Sequence, residues 1–224
     1  PPREGAFAQF IAMRGDNLVT VPNHVSLDAA SLAEPIACGW HTVKLAKEAL
    51  SGSAKTALVI GGGAIGLGAA LSLAAQGVRD VTIVEPNALR RDVLNTQCGQ
   101  TAISPDDLSA DAMFDLVIDG VGYAATRATA SAHTRPGGVI GHIGLGEGTG
   151  GLDVRRMTLQ EITFIGTYTY TAQDFRDTAA AIFDGRLGTL DWTEQRPLSD
   201  GASAFSDILA GLTAAPKIIL NPHI

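Results

Sequence analysis

Three glycines and one glutamate have the spacing that most clearly indicates chemistry in this chain. Gly61, Gly63 and Gly66 form a G-x-G-x-x-G pattern within ALVIGGGAIGLGAA, and Glu85 ends the next apolar segment. Between a strand and a helix, the first glycine permits a tight turn and the second lets the backbone approach a pyrophosphate. The third lets the helix close on the strand. The pattern predicts a dinucleotide site, with a ligand-free glycine turn as the alternative.

The residues around this turn favour NAD over NADP. Glu85 would accept hydrogen bonds from both hydroxyls of the adenosine ribose, and its charge would repel a 2′-phosphate. Arg90, one turn into the following helix, would lie beside the same ribose. Ala64 and Ile65 open the helix after the turn, where backbone amides hold an anion. Methyltransferases share the glycine turn and the acid, but the third glycine and the segments DLVIDGVG and RPGGVIGHIGL favour the dinucleotide fold.

A second residue with possible chemistry is Glu34, the carboxylate in the otherwise uncharged stretch LAEPIACGWHT. It stands before Pro35 at the start of a helix that its composition indicates is buried. An acid at a helix N-terminus, with proline at the first helical position, is an ordinary helix start. The alternative is a metal ligand, because an unpaired buried carboxylate has a free-energy cost of several kcal/mol. The sequence alone favours the helix start.

The elements that must position these residues indicate an α/β fold with a doubly wound parallel sheet. Strands are predicted at ALVI, DVTIVE, DLVID and GVIGHI, separated by Ala/Leu-rich helices between residues 57 and 168. Residues 1–33 are predicted to be β-rich, with strands in GAFAQFIAM and NLVTVP. We expect the final strand, PKIILNP, to pack with them. The short interval from Cys98 to Phe114 predicts that the third strand and its helix are trimmed.

Composition limits the classes of function. The 224 residues are 46% hydrophobic and 17% charged, which is enough for one full core and part of a second. A net charge of −7 without any Lys/Arg run argues against nucleic acid or a membrane surface as partner. Cys38 and Cys98 fit no CxxC motif, so neither a disulfide framework nor a self-contained zinc site is indicated and a cytoplasmic setting is expected. Because the chain opens with Pro1-Pro2, we expect a fragment of a longer protein.

Seven segments together resemble the medium-chain, zinc-dependent alcohol and polyol dehydrogenases. In order, they are GAFAQF, LAEPIACGWHT, ALVIGGGAIGLGAA, VIDGVG, RPGGVIGHIGL, LQEITFIGT and KIILNP. The opening Pro1-Pro2-x-x-Gly5 resembles the sorbitol dehydrogenase branch. The resemblance implies a mainly β, GroES-like catalytic domain around an NAD-binding Rossmann domain: residues 1–35 catalytic, 36–168 NAD-binding and 169–224 catalytic again. The family's Gly-His-Glu stretch and first zinc cysteine would lie upstream.

The resemblance also implies roles for individual residues. Glu34 would face the catalytic zinc, as a ligand or by holding its water. Cys38 would lie near the nicotinamide, with a small core thiol as the alternative. Tyr168 and Thr169 would line the substrate pocket, although sorbitol dehydrogenases carry arginine at the position of Thr169. Strand-end residues that would contact adenosine and nicotinamide are Val121, Ile143, Gly144 and Leu145.

The expected function is NAD-dependent, zinc-assisted oxidation of a secondary alcohol or polyol, a small-molecule substrate, to the ketone. The alternatives are a non-catalytic NAD-binding module and a zinc-free reductase, and Glu34 argues against the second. A homodimer or homotetramer is expected through the strand in LQEITFIGTY. The histidines His24, His41, His133 and His223 show no metal-site spacing and are interpreted as core or surface residues.

Overall fold

A computed structural model describes residues 5–223, and its centre is a six-stranded parallel sheet. The Pro1-Pro2 cue lies outside the described residues. The spatial order is β3-β2-β1-β4-β5-β6, so the order reverses between β1 and β4. The doubly wound, Rossmann-type sheet predicted from the sequence is therefore confirmed. The strands are β1 (Thr56–Ile60), β2 (Asp80–Val84), β3 (Thr101–Ile103), β4 (Phe114–Asp119), β5 (Thr134–His142) and β6 (Thr163–Gly166).

Helices cover both faces of the sheet. Because side chains alternate along a strand, Ala57 and Val59 of β1 join one core while Leu58 and Ile60 join the other. The larger core lies under the helices at 33–49, 64–75 and 172–183, and the smaller one lies beside the helix at 124–133. The helices are α1 (Leu27–Ser31), α2 (Ala33–Ala49), α3 (Ala64–Ala75), α4 (Ala88–Thr96), α5 (Ala124–His133), α6 (Val154–Leu159), α7 (Ala172–Phe183) and α8 (Gly201–Leu209). None of these helices is long and apolar enough to cross a membrane.

The prediction of a trimmed third unit is half right. The third strand is present as β3, which pairs in parallel with β2. Its helix is absent among the described residues, because residues 104–113 hold only a 3₁₀ turn at Pro105–Asp107 before β4 begins. Three residues suffice for a short strand, whereas a helix that returns along the sheet needs more chain than this interval offers.

The strands predicted near the start of the chain are wrong. Residues 5–26 contain no strand, and the one regular element there is a 3₁₀ turn at Gly15–Asn17. The alternating pattern in GAFAQFIAM is real, but a strand needs a neighbour for its backbone hydrogen bonds. No described segment pairs with these residues, and the Phe10 side chain is 91% exposed.

The strand predicted at the end of the chain is confirmed as β8 (Ile218–Asn221), but its neighbour differs from the expectation. It pairs in parallel with β7 (Glu194–Pro197) in a separate two-stranded sheet. Contact with the start of the chain comes instead from Phe7, whose ring lies 5.9 Å from that of Phe205 on α8.

Helix α2 packs unusually close to α3. A Cβ atom added at Gly39 would lie 2.6 Å from the backbone nitrogen of Ala69, and one added at Gly68 would lie 3.1 Å from the Cα atom of Ile36. Helix α2 begins at Ala33, so the proline predicted at the first helical position is the third residue instead. Proline is tolerated there because the first-turn N–H groups have no partner within the helix.

A buried aspartate joins α7 to α2. Asp174 is fully buried, and its carboxylate lies 2.8 Å from His41 Nδ1 and 3.1 Å from Lys44 Nζ. It also accepts a hydrogen bond from the Thr171 hydroxyl at the start of α7. Burial acts to raise the pKa of Asp174, but these hydrogen bonds lower it to about 2. His41 is thus the satisfied histidine that the sequence predicted.

Candidate functional site

The glycine turn between β1 and α3 has the geometry that a dinucleotide site requires. Gly61 has φ +92°, a conformation that favours glycine, and a Cβ atom at Gly66 would lie 1.8 Å from the carbonyl oxygen of Gly61. A Cβ atom at Gly63 would meet no atom within 4 Å. Two of the three glycines therefore close the turn, and the third faces open space at the N-terminus of α3, beside Ala64 and Ile65.

The Glu85 side chain is hydrogen-bonded to this turn. The residue is only 4% exposed, and its Oε2 accepts a hydrogen bond of 2.8 Å from the Gly62 N–H. Its Oε1 accepts another of 2.8 Å from the Asn87 N–H, and Arg90 Nη1 lies 3.8 Å from Oε2. A carboxylate has about four acceptor positions, so each oxygen retains capacity for one hydroxyl group.

Arg90 lines two cavities, and Glu85 lines one of them. One, of about 490 Å³, follows the carboxyl ends of the central strands, where open α/β sheets bind ligands. The other, of about 360 Å³, lies beside the start of α3 and contains two cationic side chains, Arg90 and Lys217. The first cavity is lined by Gly61, Glu85, Arg90, Val121, Tyr123 and Thr126, among others. Arg90 therefore lines both cavities, and Glu85 lines the one at the strand ends.

Asp119 organises the loop that follows β4, residues 120–123, which we call the β4 loop. Its side chain is fully buried, and Oδ1 accepts hydrogen bonds from the N–H groups of Val121 (3.0 Å) and Gly122 (2.9 Å). Oδ2 accepts one from the Thr126 hydroxyl at 3.0 Å. Burial acts to raise the pKa of the Asp119 carboxyl, but the hydrogen bonds that it accepts outweigh burial and hold the pKa below its usual value. Sequence analysis missed this residue, although an acid at a strand end directly before glycine was its signal.

Residues 143–151 follow β5 and form the β5 loop, which lies against the β4 loop. The backbone carbonyl of Asp119 accepts hydrogen bonds from the N–H groups of Ile143 and Gly144. A Cβ atom at Gly144 would lie 2.1 Å from the carbonyl carbon of Val121. Leu145 follows with its side chain 81% exposed. The structure therefore brings Val121, Ile143 and Gly144 together, and Leu145 extends beyond them.

The expectation of a buried Glu34 is wrong. The residue lies in the first turn of α2, where its neighbours Ala33 and Pro35 are buried, but Glu34 itself is exposed. Its carboxylate lines a cavity of about 540 Å³ beneath the N-terminal segment. An exposed carboxylate stays hydrated, so the charge requires no buried partner.

Tyr170 is the nearest polar partner of Glu34, and sequence analysis missed it. Its hydroxyl donates a hydrogen bond of 3.3 Å to Glu34 Oε1, and its ring stacks on Phe175 in the same cavity. Burial, and then the negative charge of Glu34, raise the pKa of Tyr170 to about 12. The two residues predicted for the substrate pocket, Tyr168 and Thr169, are exposed and do not line this cavity.

Cys38 lies one helical turn after Glu34 and is half-buried. Its Sγ is 3.9 Å from the carbonyl oxygen of Glu34, and burial, followed by the Glu34 charge, raises its thiol pKa to about 11. Cys38 therefore carries a protonated thiol at neutral pH. Within residues 5–223, no three His, Cys, Asp or Glu side chains are grouped so as to hold a metal ion.

Comparison with known proteins identifies the family. The family model described as zinc-binding dehydrogenase matches residues 64–184, which is more than half of the chain. The chain belongs to this family. The match spans the glycine turn after Gly63, Glu85, the two loops and the whole of α7.

Individual members agree with this assignment. This zinc-binding dehydrogenase chain is 30% identical to a probable (R)-acetoin-forming diacetyl reductase of Saccharomyces cerevisiae, over 99% of the chain and 57% of the relative. It is 26% identical to a sorbitol dehydrogenase of Arabidopsis thaliana, over 76% of the chain and 50% of the relative. The structure of acetophenone reductase from Geotrichum candidum in complex with NAD has the same fold, with a TM-score of 0.75 and 22% identity, over 88% of this chain and 57% of that one. The chain thus spans little more than half the length of these proteins.

Proposed function

We propose that this chain is the cofactor-binding part of an NAD-dependent, zinc-assisted dehydrogenase that oxidises a secondary alcohol or polyol to the ketone. The observation that carries the proposal is Glu85, whose carboxylate is bonded to the glycine turn and keeps capacity for two ribose hydroxyls. The names of the relatives, an acetoin-forming reductase and a sorbitol dehydrogenase, support the substrate class. The choice of NAD rests on the same carboxylate, because structural neighbours are found in complex with NAD or with NADP.

The chain's own residues have the following proposed roles toward the cofactor. The amides of Ala64 and Ile65 at the start of α3 hold the pyrophosphate, with Arg90 and Lys217 nearby. Glu85 binds the adenosine ribose. Bound NAD supplies the hydride acceptor. The adenosine and nicotinamide contacts come from strand-end residues on the two loops, namely Val121, Ile143, Gly144 and Leu145, and Cys38 lies near the nicotinamide.

Residues 5–223 do not by themselves provide the ligands of a catalytic zinc. A catalytic zinc normally takes three protein ligands, and this part of the chain offers Glu34 as a single exposed candidate. We propose that Glu34 contributes one carboxylate beside ligands supplied from outside these residues. Tyr168 and Thr169, exposed near the same cavity, stay proposed contacts of the substrate, and Tyr170 joins them through its hydrogen bond to Glu34.

The proposed domain division follows the same reasoning. Residues 36–168 form the NAD-binding domain, while residues 1–35 and 169–224 belong to the catalytic part. The free thiols of Cys38 and Cys98 support a cytoplasmic setting. The acidic net charge of −7 supports a small-molecule substrate rather than nucleic acid or a membrane surface.

Titration with NADH and NADPH tests the cofactor proposal directly. We expect NADH to bind more tightly, and we expect Gly63→Val to abolish binding. A Cβ atom added there would meet no protein atom within 4 Å, so the valine should leave the fold intact while it fills the space for the pyrophosphate. Gly15→Val, which also adds a side chain to open space, is the matched control and should bind NADH normally. Equal affinities of the wild type for the two cofactors, or normal binding by Gly63→Val, would contradict the assignment.

The assembly state gives an independent prediction. Strand β6 lies at the edge of the main sheet, with one side of its backbone unpaired by any other described strand. An open edge of this kind favours pairing with a second copy about a two-fold axis, so we expect a dimer or tetramer. Light scattering at micromolar concentration measures the mass. A monomer there would rule out β6 as a self-pairing edge.

A further inference from the structure

A buried arginine ties together the two loops at the carboxyl ends of β4 and β5. Arg127 lies in the second turn of α5 and is only 5% exposed. Its Nη1 donates hydrogen bonds to the carbonyl oxygens of Gly122 (2.8 Å) and Glu147 (3.0 Å). Its Nε donates to Gly150 at 2.6 Å, and Nη2 donates to Thr149. One guanidinium therefore satisfies one carbonyl of the β4 loop and three of the β5 loop.

The same two loops also bond to each other through their backbones. The N–H of Glu147 donates a hydrogen bond of 2.8 Å to the carbonyl oxygen of Gly122, and the N–H of Gly146 donates one of 3.1 Å to that of Val121. The Glu147 carboxylate accepts a hydrogen bond from the Ala124 N–H at the start of α5. The Gly122 carbonyl is thus held by a backbone amide and a guanidinium at once. Removal of the guanidinium leaves three carbonyls of the β5 loop without these donors.

The type of residue matters at this position. A guanidinium presents five N–H donors in a rigid planar fork, whereas a lysine ammonium presents three donors on a flexible stem. Its hydrogen bonds all end on backbone carbonyls, so the charge is stabilised by peptide dipoles. Four acceptors on two separate loops match the fork, and a lysine at the same position cannot reach all of them.

We propose that Arg127 is a positioning residue for the nicotinamide end of the cofactor. It holds Val121 in the β4 loop against Gly144 and Leu145 in the β5 loop. This inference rests on the proposed function, because it requires that the two loops contact bound NAD. The adenosine ribose and the pyrophosphate are assigned to other residues, Glu85 and the start of α3, which Arg127 does not contact through hydrogen bonds.

Comparison of NADH with ADP-ribose, which lacks the nicotinamide, tests the proposal on the chain itself. We expect Arg127→Lys and Arg127→Met to weaken NADH binding by about tenfold or more, since the two loops lose the hydrogen bonds that hold them in the arrangement that binds the cofactor. Binding of ADP-ribose, whose ribose and pyrophosphate are held by Glu85 and the start of α3, should fall by a clearly smaller factor than binding of NADH. Calorimetry measures both ligands under the same conditions.

Arg156→Lys is the matched control. Arg156 also donates to backbone carbonyls, those of Ser131 and Thr134, but at the other end of α5. It should leave both affinities unchanged. If the Arg127 variants lose ADP-ribose and NADH equally, or keep both, Arg127 does not position the nicotinamide end and the inference is overturned. A wild-type chain that binds neither ligand would instead refute the proposed function.

Discussion

Glu85→Ala is expected to remove the preference for NADH over NADPH. The substitution eliminates two charge-assisted hydrogen bonds to the ribose and the repulsion of a 2′-phosphate. Arg90, whose Nη1 lies 3.8 Å from the Glu85 carboxylate in the wild type, becomes free to bind that phosphate. Hydrogen bonds to charged groups contribute about 1.5–3 kcal/mol each, so the loss of two should lower NADH affinity by about a hundredfold or more. NADPH affinity should rise. Fluorescence titration with both cofactors measures the change.

The control for this experiment is Asp92→Ala. Asp92 is an exposed acid on α4, the helix that follows Glu85, so its removal changes the net charge without touching the glycine turn. It should preserve the NADH preference. If Glu85→Ala retains that preference, the carboxylate does not face the ribose, and its hydrogen bonds to Gly62 and Asn87 are its whole role.

The second large effect concerns zinc and turnover. We expect residues 1–224 to bind NADH yet to hold no stoichiometric zinc and to oxidise no secondary alcohol. The reason is the ligand set: the described residues group no three suitable side chains, whereas a catalytic zinc normally takes three protein ligands. Elemental analysis after dialysis, together with NADH formation from a secondary alcohol, gives both readouts. On this outcome the chain alone is a non-catalytic NAD-binding module.

One bound zinc per chain accompanied by turnover would contradict this prediction. Two variants would then locate the site. Loss of zinc in Glu34→Gln but not in Glu48→Gln, an exposed acid farther along the same helix, would keep Glu34 as a ligand and show that the other ligands lie within the 224 residues. Unchanged zinc in both variants would exclude Glu34 as a ligand.

The cofactor side of the site could be predicted from the sequence because its signals are local. Gly61, Gly63, Gly66 and Glu85 lie within two consecutive strand-to-helix turns, and the physical demands of those turns determine their residue types. The order of strand and helix segments also predicted the doubly wound sheet correctly. Where chemistry and local backbone geometry coincide, a short stretch of sequence carries enough information.

The burial of Glu34, the roles of Tyr170 and Arg127 and the structure of the first residues could not be predicted, because they depend on contacts between distant segments of the chain. Glu34 was expected to be buried because its neighbours are apolar, but exposure depends on which face of α2 meets α3. Tyr170 reaches Glu34 across more than a hundred residues, and Arg127 acts through carbonyls, which leave no mark on residue type. The alternating pattern in residues 5–13 predicts strand only if a partner strand is present.

The close packing of α2 on α3 has a mechanical consequence. Gly39 and Gly68 bring the backbones of the two helices into direct contact, and well-packed interfaces resist continuous deformation. Helix α2 carries Glu34, and α3 begins at the glycine turn. The two ends of the site therefore sit on one rigid body, with a fixed separation. Any opening and closing of the cleft around a substrate must hinge outside this pair, and a clamp that moves would have to be built from segments other than α2 and α3.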